Sequence, residues 1–178
     1  MILFTGRLML RHWKASDAED LFEYAKDPDV GPDAGWPPHK NVRESLNIIK
    51  TVLNGPEAYA VCLKTDEKPI GAIELMLDEK KMDECELGYW LAKLFWGQGI
   101  IPEAGREMLR RAFEDLDMSK VWCKYYDFNK KSKRVQEKLG FVYQYTKENC
   151  DVPALGVKRT DIVNCITKEE WMKRNDKA

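Results

Sequence analysis

The sequence has no run approaching the roughly 18 consecutive apolar residues that a membrane-spanning helix needs, so no membrane partner is expected. Its first residues, Met1 to Arg7, lack the basic start and long apolar stretch of a secretory leader. Histidine occurs only as His12 and His39, and the cysteines at 62, 85, 123, 150 and 165 include no Cys-x-x-Cys pair. An odd number of cysteines without paired spacing argues against a disulfide framework and a zinc ribbon, and no metal site is expected. Cys62, Cys85 and Cys123 fall in strand-like runs, where a free thiol behaves as a small buried hydrophobe. A reducing, cytoplasmic compartment is the expectation. Charge of either sign is not in excess, with 29 Lys and Arg against 30 Asp and Glu. No global field therefore points to nucleic acid. Repeats and low-complexity tracts are absent too.

What is present is a chain of 178 residues with 44% apolar and 11% aromatic content, enough for one domain over residues 1–178 with a full core. Arg7 to Trp13 alternates as a strand would, with Leu8 and Leu10 on one face. Ser16-Asp17-Ala18-Glu19 reads as a capping box opening a helix that Asp27-Pro28 ends. Gly31 to His39, rich in Gly, Pro and Trp, reads as a loop. Asn41 caps a second helix with Val42, Leu46, Ile49 and Leu53 on the inward face. Ala58 to Thr65 and Pro69 to Leu77 form a hairpin; Cys85 to Leu91 follows a charged loop from Asp78 to Glu84. An amphipathic helix carries Met108, Leu109, Ala112, Phe113 and Leu116. Then come a strand at Val121 to Phe128, a helix at Ser132 to Leu139 stopped by Gly140, and strands at Val142 to Thr146 and Gly156 to Thr167. Thr167-Lys168-Glu169-Glu170 is a second capping box. Hairpins beside strand–helix–strand crossovers predict a mixed sheet and the α+β class.

Two segments carry chemistry. Gly97-Gln98-Gly99-Ile100-Ile101-Pro102-Glu103 joins a strand to a helix. Glycines there permit positive φ and close approach of a ligand. The first helical turn has unpartnered N–H groups and partial positive charge, which suit phosphate. A dinucleotide fingerprint needs a third glycine where Pro102 stands, and the Gly-Lys-Ser/Thr of a P-loop is absent. The second segment runs from Asn129 through the basic residues Lys130, Lys131, Lys133, Arg134 and Lys138 to Gly140. Asn129 suits a helix cap or a hydrogen bond to an amide-bearing ligand, and the basic side chains suit a phosphate monoester; a solvated helix face is the plainer alternative.

Together these segments resemble the GNAT N-acetyltransferase superfamily. Trp96-Gly97-Gln98-Gly99-Ile100 with Pro102-Glu103-Ala104 is similar to its acyl-CoA signature, and Asn129-x-x-Ser132-x-x-Val135-x-Glu137-Lys138-Leu139-Gly140-Phe141 to its second motif. Thr5 to Arg11, Glu86 to Leu91 and Thr167 to Trp171 resemble the RimJ/RimL-type branch. The resemblance implies a twisted mixed sheet of about seven strands, with flanking helices and a splayed central pair. It implies acetyl-CoA as donor and direct transfer to an amine acceptor, either a small molecule or a peptide. For the cofactor it implies amides of Gln98, Gly99 and Ile101 at the pyrophosphate. Asn129 would contact the pantetheine or the adenosine end, the backbone near Trp90 and Leu91 would pair with the pantetheine amides, and the basic helix, with Lys131 and Arg134, would lie near the 3′-phosphate. A homodimer is common in the branch. Where many members carry a Tyr as proton donor to the departing thiolate, this chain has Gln136. A CoA-binding sensor without catalysis is therefore the alternative reading.

Direct transfer needs a deprotonated amine, and amines have pKa values of about 8 to 10.4. Glu86, on the strand before the glycine turn, is the favoured base, with Glu74 and Asp78 behind it. Ser132 is the candidate donor to sulfur, as the branch implies. Trp36, Tyr89, Trp90 and Tyr126 are candidate walls of the acceptor pocket.

Overall fold

The computed structural model describes residues 1–78 and 80–175. Its elements are β1 (Ile2–Phe4), β2 (Leu8–Arg11), α1 (Ala18–Ala25), α2 (Gly31–Ala34), α3 (Val42–Thr51), β3 (Ala58–Leu63), β4 (Pro69–Asp78), β5 (Lys81–Leu91), α4 (Ile100–Arg110), β6 (Lys120–Tyr126), α5 (Lys130–Leu139), β7 (Val142–Val152), β8 (Val157–Thr167) and α6 (Lys168–Asn175). Among the described residues, eight strands form one sheet in the order β1-β2-β3-β4-β5-β6-β8-β7. Neighbours are antiparallel except β5 and β6, which the α4 crossover makes parallel. The expected α+β class and mixed sheet hold. The additional strand is β1, which folds back on β2 through Thr5-Gly6-Arg7.

The helices divide between the faces. α4 lies on one face of the β2, β4 and β5 region, with α5 beside it under β6. Leu8, Leu10, Ile73, Leu87, Met108, Leu109, Phe113 and Ile166 form the centre of the core there. Gly105 allows α4 and α5 to touch, since a Cβ there would stand 2.7 Å from Leu139 Cδ1. On the other face α1 and α3 bury Leu21, Ala25, Ile49 and Leu53 over Ala72. They cover β4 and leave the β6, β8 and β7 side open.

Local signals explain most boundaries. Asn41 Oδ1 accepts from Glu44 N at 2.9 Å, a cap contributing about 1 kcal/mol. Gly140 takes φ +92° and closes α5 in the left-handed region. Thr167 and Glu170 bond reciprocally, as the second capping box predicts. The first box is different. The Asp17 carboxylate accepts from Lys14 N at 2.7 Å and grips Arg11 at 2.8 and 2.9 Å, a buried bidentate pair tying α1 to β2.

Other expectations need correction. Gly31 to His39 is not all loop: Pro32 sits in the first turn of the one-turn helix α2, and Gly35 at φ +92° ends it. The charged segment 78–84 is mostly strand, because β4 and β5 stay paired out to Asp78 and Lys81, where charged side chains face water. Val42 is exposed, lying at the start of α3 beyond the packed stripe. After Arg110 the α4 helix widens into a π turn, Arg111–Asp115. β7 continues to Val152 because Lys147, Cys150, Asp151 and Val152 pair with β8.

Candidate active site

The β5–β6 junction is brief. Only Glu84–Lys120, Cys85–Val121 and Glu86–Trp122 pair. Beyond Glu86 the pairing stops, and Leu87 to Leu91 keep a ladder partner only on the β4 side. The other edge of β5 is left with backbone groups that require partners. Trp96 Nε1 donates to Leu91 O at 2.8 Å and braces the end of this edge. Strand alternation sends Glu86, Gly88 and Trp90 to the α1/α3 face and Leu87, Tyr89 and Leu91 to the α4/α5 face.

At the C-terminal end of β5 stands the glycine turn. Gly97 has φ +77° and Gly99 φ +75°. Gly99 is the N-cap of α4, and Glu103 N donates to Gly99 O at 3.1 Å. The α4 N-terminus is anchored through Glu103, whose carboxylate accepts from Thr5 Oγ1 at 2.5 Å and from Arg7 N and Nε at 2.8 and 2.7 Å. Burial pushes that carboxyl up, but the bonds from Thr5 and Arg7 outweigh it and hold it below the usual range. Arg7 Nη2 also donates to Gln98 O at 3.1 Å, so a guanidinium borders the turn. Lys131 Nζ lies 3.6 Å from the Trp96 ring centroid and brings α5's positive charge to the same place.

The expected donor-site residues therefore divide. Gln98, Gly99 and Lys131 gather around one anion-suited corner with Leu91 beside it. Ile101 is buried and offers only its backbone. Trp90's side chain points away from α4, packing at 5.8 Å against Trp36 and at 6.5 Å against Trp13. Arg134 is exposed on α5. Asn129 is the cap of α5: its Oδ1 accepts from Ser132 N at 3.0 Å while its Nδ2 donates to Asp33 O at 3.3 Å. The cap and the tie to α2 engage both ends of its amide.

On the opposite face lies a cleft of about 650 Å³, bordered by Glu84, Glu86, Trp122, Lys124, Tyr145 and Asp161. Glu86 sits at the last paired rung and meets Lys124 Nζ at 3.3 Å. Burial pulls the Lys124 ammonium down, but Glu86 outweighs this and raises it overall. Glu74, facing Gly88 from β4, is raised by burial first and by the Glu86 charge second. Asp161 is only 9% exposed, and its Oδ1 has no hydrogen-bond partner among the described residues. Tyr126 pairs with Asp161 across β6 and β8, and α2 leans on it: a Cβ at Gly35 would stand 2.7 Å from its hydroxyl.

Tyr89, expected at the acceptor pocket, does not border this cleft. Its side chain crosses to α5, where its Oη lies 2.8 Å from Ser132 Oγ. His39 is a structural residue, with ring Nδ1 2.8 Å from Ser45 Oγ and its backbone N–H donating to Ala25 O; burial lowers its pKa. Sequence reasoning missed Arg7, Lys124 and Asp161. Nothing in their local spacing marks them: sheet pairing brings Lys124 and Asp161 to the cleft, and bonds to Glu103 and Gln98 bring Arg7 to the turn.

A profile described as an acetyltransferase (GNAT) domain matches residues 7–142. The chain belongs to the GNAT acetyltransferase family. The GNAT fold is shared with a GNAT-family acetyltransferase structure from Bacillus anthracis, with TM-score 0.85 and 21% identity, covering 95% of this chain and 99% of that one. Among curated relatives, the uncharacterized N-acetyltransferase p20 of Bacillus licheniformis is 26% identical over 78% of this chain and 81% of its own length. The FsC-acetyl coenzyme A-N(2)-transacetylase of Aspergillus fumigatus is 34% identical over 52% of this chain and 40% of its own. The chain is thus an acetyltransferase enzyme of the GNAT family, as its motifs predict, and the family's donor is acetyl-CoA.

Proposed function

We propose that this chain transfers the acetyl group of acetyl-CoA directly to a primary amine, on a small molecule or at a protein N-terminus. The observation that carries the reading is the end of β5–β6 pairing at Glu86, with an anion-suited turn on one face and a carboxylate-lined cleft on the other. Pantetheine would complete the free edge of β5 near Leu91, as an added strand would. Its pyrophosphate would meet the amides of Gln98, Gly99 and Ile101 beside Arg7. Lys131, with Arg134 and the rest of the basic helix, would hold the 3′-phosphate. Asn129 acts by capping α5 and thereby setting Ser132 in place. The name of the Aspergillus relative, which specifies transfer from acetyl coenzyme A to nitrogen, supports the reaction class.

An amine entering from the cleft would meet Glu86 and Glu74 on one side of the thioester, with Ser132 on the other. Glu86 would take the ammonium proton directly or through water. Nitrogen then attacks the carbonyl carbon and gives its second proton to water, the C–S bond breaks, and its electron pair leaves on sulfur. A thiolate of pKa about 8.5 is a tolerable leaving group, so a hydrogen-bond donor suffices there.

Calorimetry tests the donor site. Acetyl-CoA is expected to bind with micromolar affinity, and the form lacking the 3′-phosphate about tenfold or more weakly, through loss of charge-assisted bonds to the basic helix. Absence of binding by either form would contradict the reading.

A further inference from the structure

Gln136 occupies the place where many family members carry a tyrosine, and its surroundings show what it does instead. Its side chain is buried, and Oε1 accepts from Asn164 Nδ2 at 2.7 Å. With Asn164 presenting its amide nitrogen, Gln136 presents Oε1 to it. Gln136 Nε2 must then point the other way, and it lies 3.4 Å from Ser132 Oγ. Tyr89 Oη lies 2.8 Å from the same oxygen, a bond that either hydroxyl can donate; the phenol's other neighbours are Ser132 O at 3.4 Å and the Cys123 thiol. Burial pushes the Tyr89 phenol well above its ordinary value, so it keeps its proton. When both neighbours donate, the two lone pairs of Ser132 Oγ are used. The serine's own hydrogen then has no acceptor other than Tyr89 Oη among the described residues, and its half-buried side chain adjoins the unpaired edge of β5.

We propose that Tyr89, Gln136 and Asn164 are positioning residues that fix the Ser132 hydroxyl as a hydrogen-bond donor toward the departing sulfur of the thioester. The proposal rests on the acetyl-CoA reading above. Donation runs Asn164 to Gln136 to Ser132, and Tyr89 to Ser132, and each bond polarises the next. The phenol that the family's helix supplies is replaced by one from β5, acting through a serine. No proton leaves Tyr89. The C–S electron pair comes to rest on sulfur as a thiolate held by Ser132 O–H, and the thiolate later takes a proton from solvent. Gln136 is in this account a part of the machinery and not a vacancy left by a lost acid.

The distinguishing measurement is the thiol pKa of CoA bound to the intact protein, followed by thiolate absorbance across pH, with kcat and calorimetric acetyl-CoA affinity measured alongside. A donor aimed at sulfur favours the charged form and lowers that pKa. Tyr89→Phe keeps the ring and removes one donor. It is expected to raise the bound-thiol pKa by about half a unit to one unit and to lower kcat about five- to tenfold, with acetyl-CoA affinity unchanged. Made in a Ser132→Ala background, it is expected to move neither quantity, because its effect passes through the serine. Gln136→Glu sets an acceptor against Ser132 and draws the hydroxyl inward, so it is expected to act in the same direction and more strongly. The proposal is overturned if Tyr89→Phe leaves pKa and kcat unchanged, or if it acts equally with and without Ser132. CoA failing to bind the unmodified protein at all would overturn the donor-site reading beneath it.

Discussion

Glu86→Gln is expected to lower kcat about a hundredfold or more while acetyl-CoA affinity stays the same. General-base removal costs about 10²- to 10⁴-fold when no substitute steps in. Glu86 stands at the last paired rung of β5 and β6, where the strands part and where an amine and a thioester would meet from opposite faces. Its partner Lys124 is about half exposed, so losing the pair costs little stability and the change reads on chemistry. Glu74 is the residue to watch. The Glu86 charge contributes to its raised pKa, so in Glu86→Gln the Glu74 pKa falls toward its ordinary value. Glu74 is then ionised to lower pH but is a weaker base. A residual activity that Glu74→Gln abolishes is therefore expected of the variant. Turnover within about threefold of the unmodified protein would make Glu86 structural and pass the role to Glu74 or to solvent.

Gly99→Glu is expected to weaken acetyl-CoA binding by at least about a hundredfold. Two effects act together. Gly99 holds φ +75°, a conformation costing a non-glycine residue roughly 1 kcal/mol or more. The new carboxylate would also stand at the α4 N-terminus beside Arg7, whose Nη2 would lie 3.7 Å from its Cβ. There it would occupy the position proposed for the pyrophosphate and neutralise the guanidinium that favours it. Gly99→Ala isolates the backbone strain and is expected to lose much less affinity. Calorimetry of both variants decides the matter: retained binding by Gly99→Glu would remove the pyrophosphate from this turn.

What could be read from the chain was local. Gly97, Gly99, Asn41, Gly140 and the Thr167–Glu170 box announce turns and caps within a few residues of themselves, and each stands where its spacing puts it. The long amphipathic helices behave likewise. The site was legible only where it coincides with such signals, at the turn and at the cap of α5. Lys124 and Asp161 come from different strands and meet Glu86 in one cleft because β8 inserts beside β6, a pairing no short window encodes. Tyr89 follows the same logic. Its neighbours in sequence, Gly88 and Trp90, face the α1/α3 side, and only strand alternation sends it to Ser132, far along the chain. The β5–β6 separation also depends on tertiary context, since Leu87 to Leu91 is no less strand-like than the paired residues before it. The one-turn helix α2 was hidden by its composition, because Gly31, Pro32 and Gly35 suit a loop as well as a short capped turn.

The most direct test of acetyl transfer to nitrogen is release of free CoA thiol from acetyl-CoA, in the presence and absence of a panel of primary amines and N-terminal peptides, with the products identified by mass. Amine-dependent CoA release matched by one N-acetylated product per thiol is the predicted result. Tight acetyl-CoA binding with no release above the amine-free rate for any acceptor would contradict it and leave a chain that binds the donor without transferring its acetyl group.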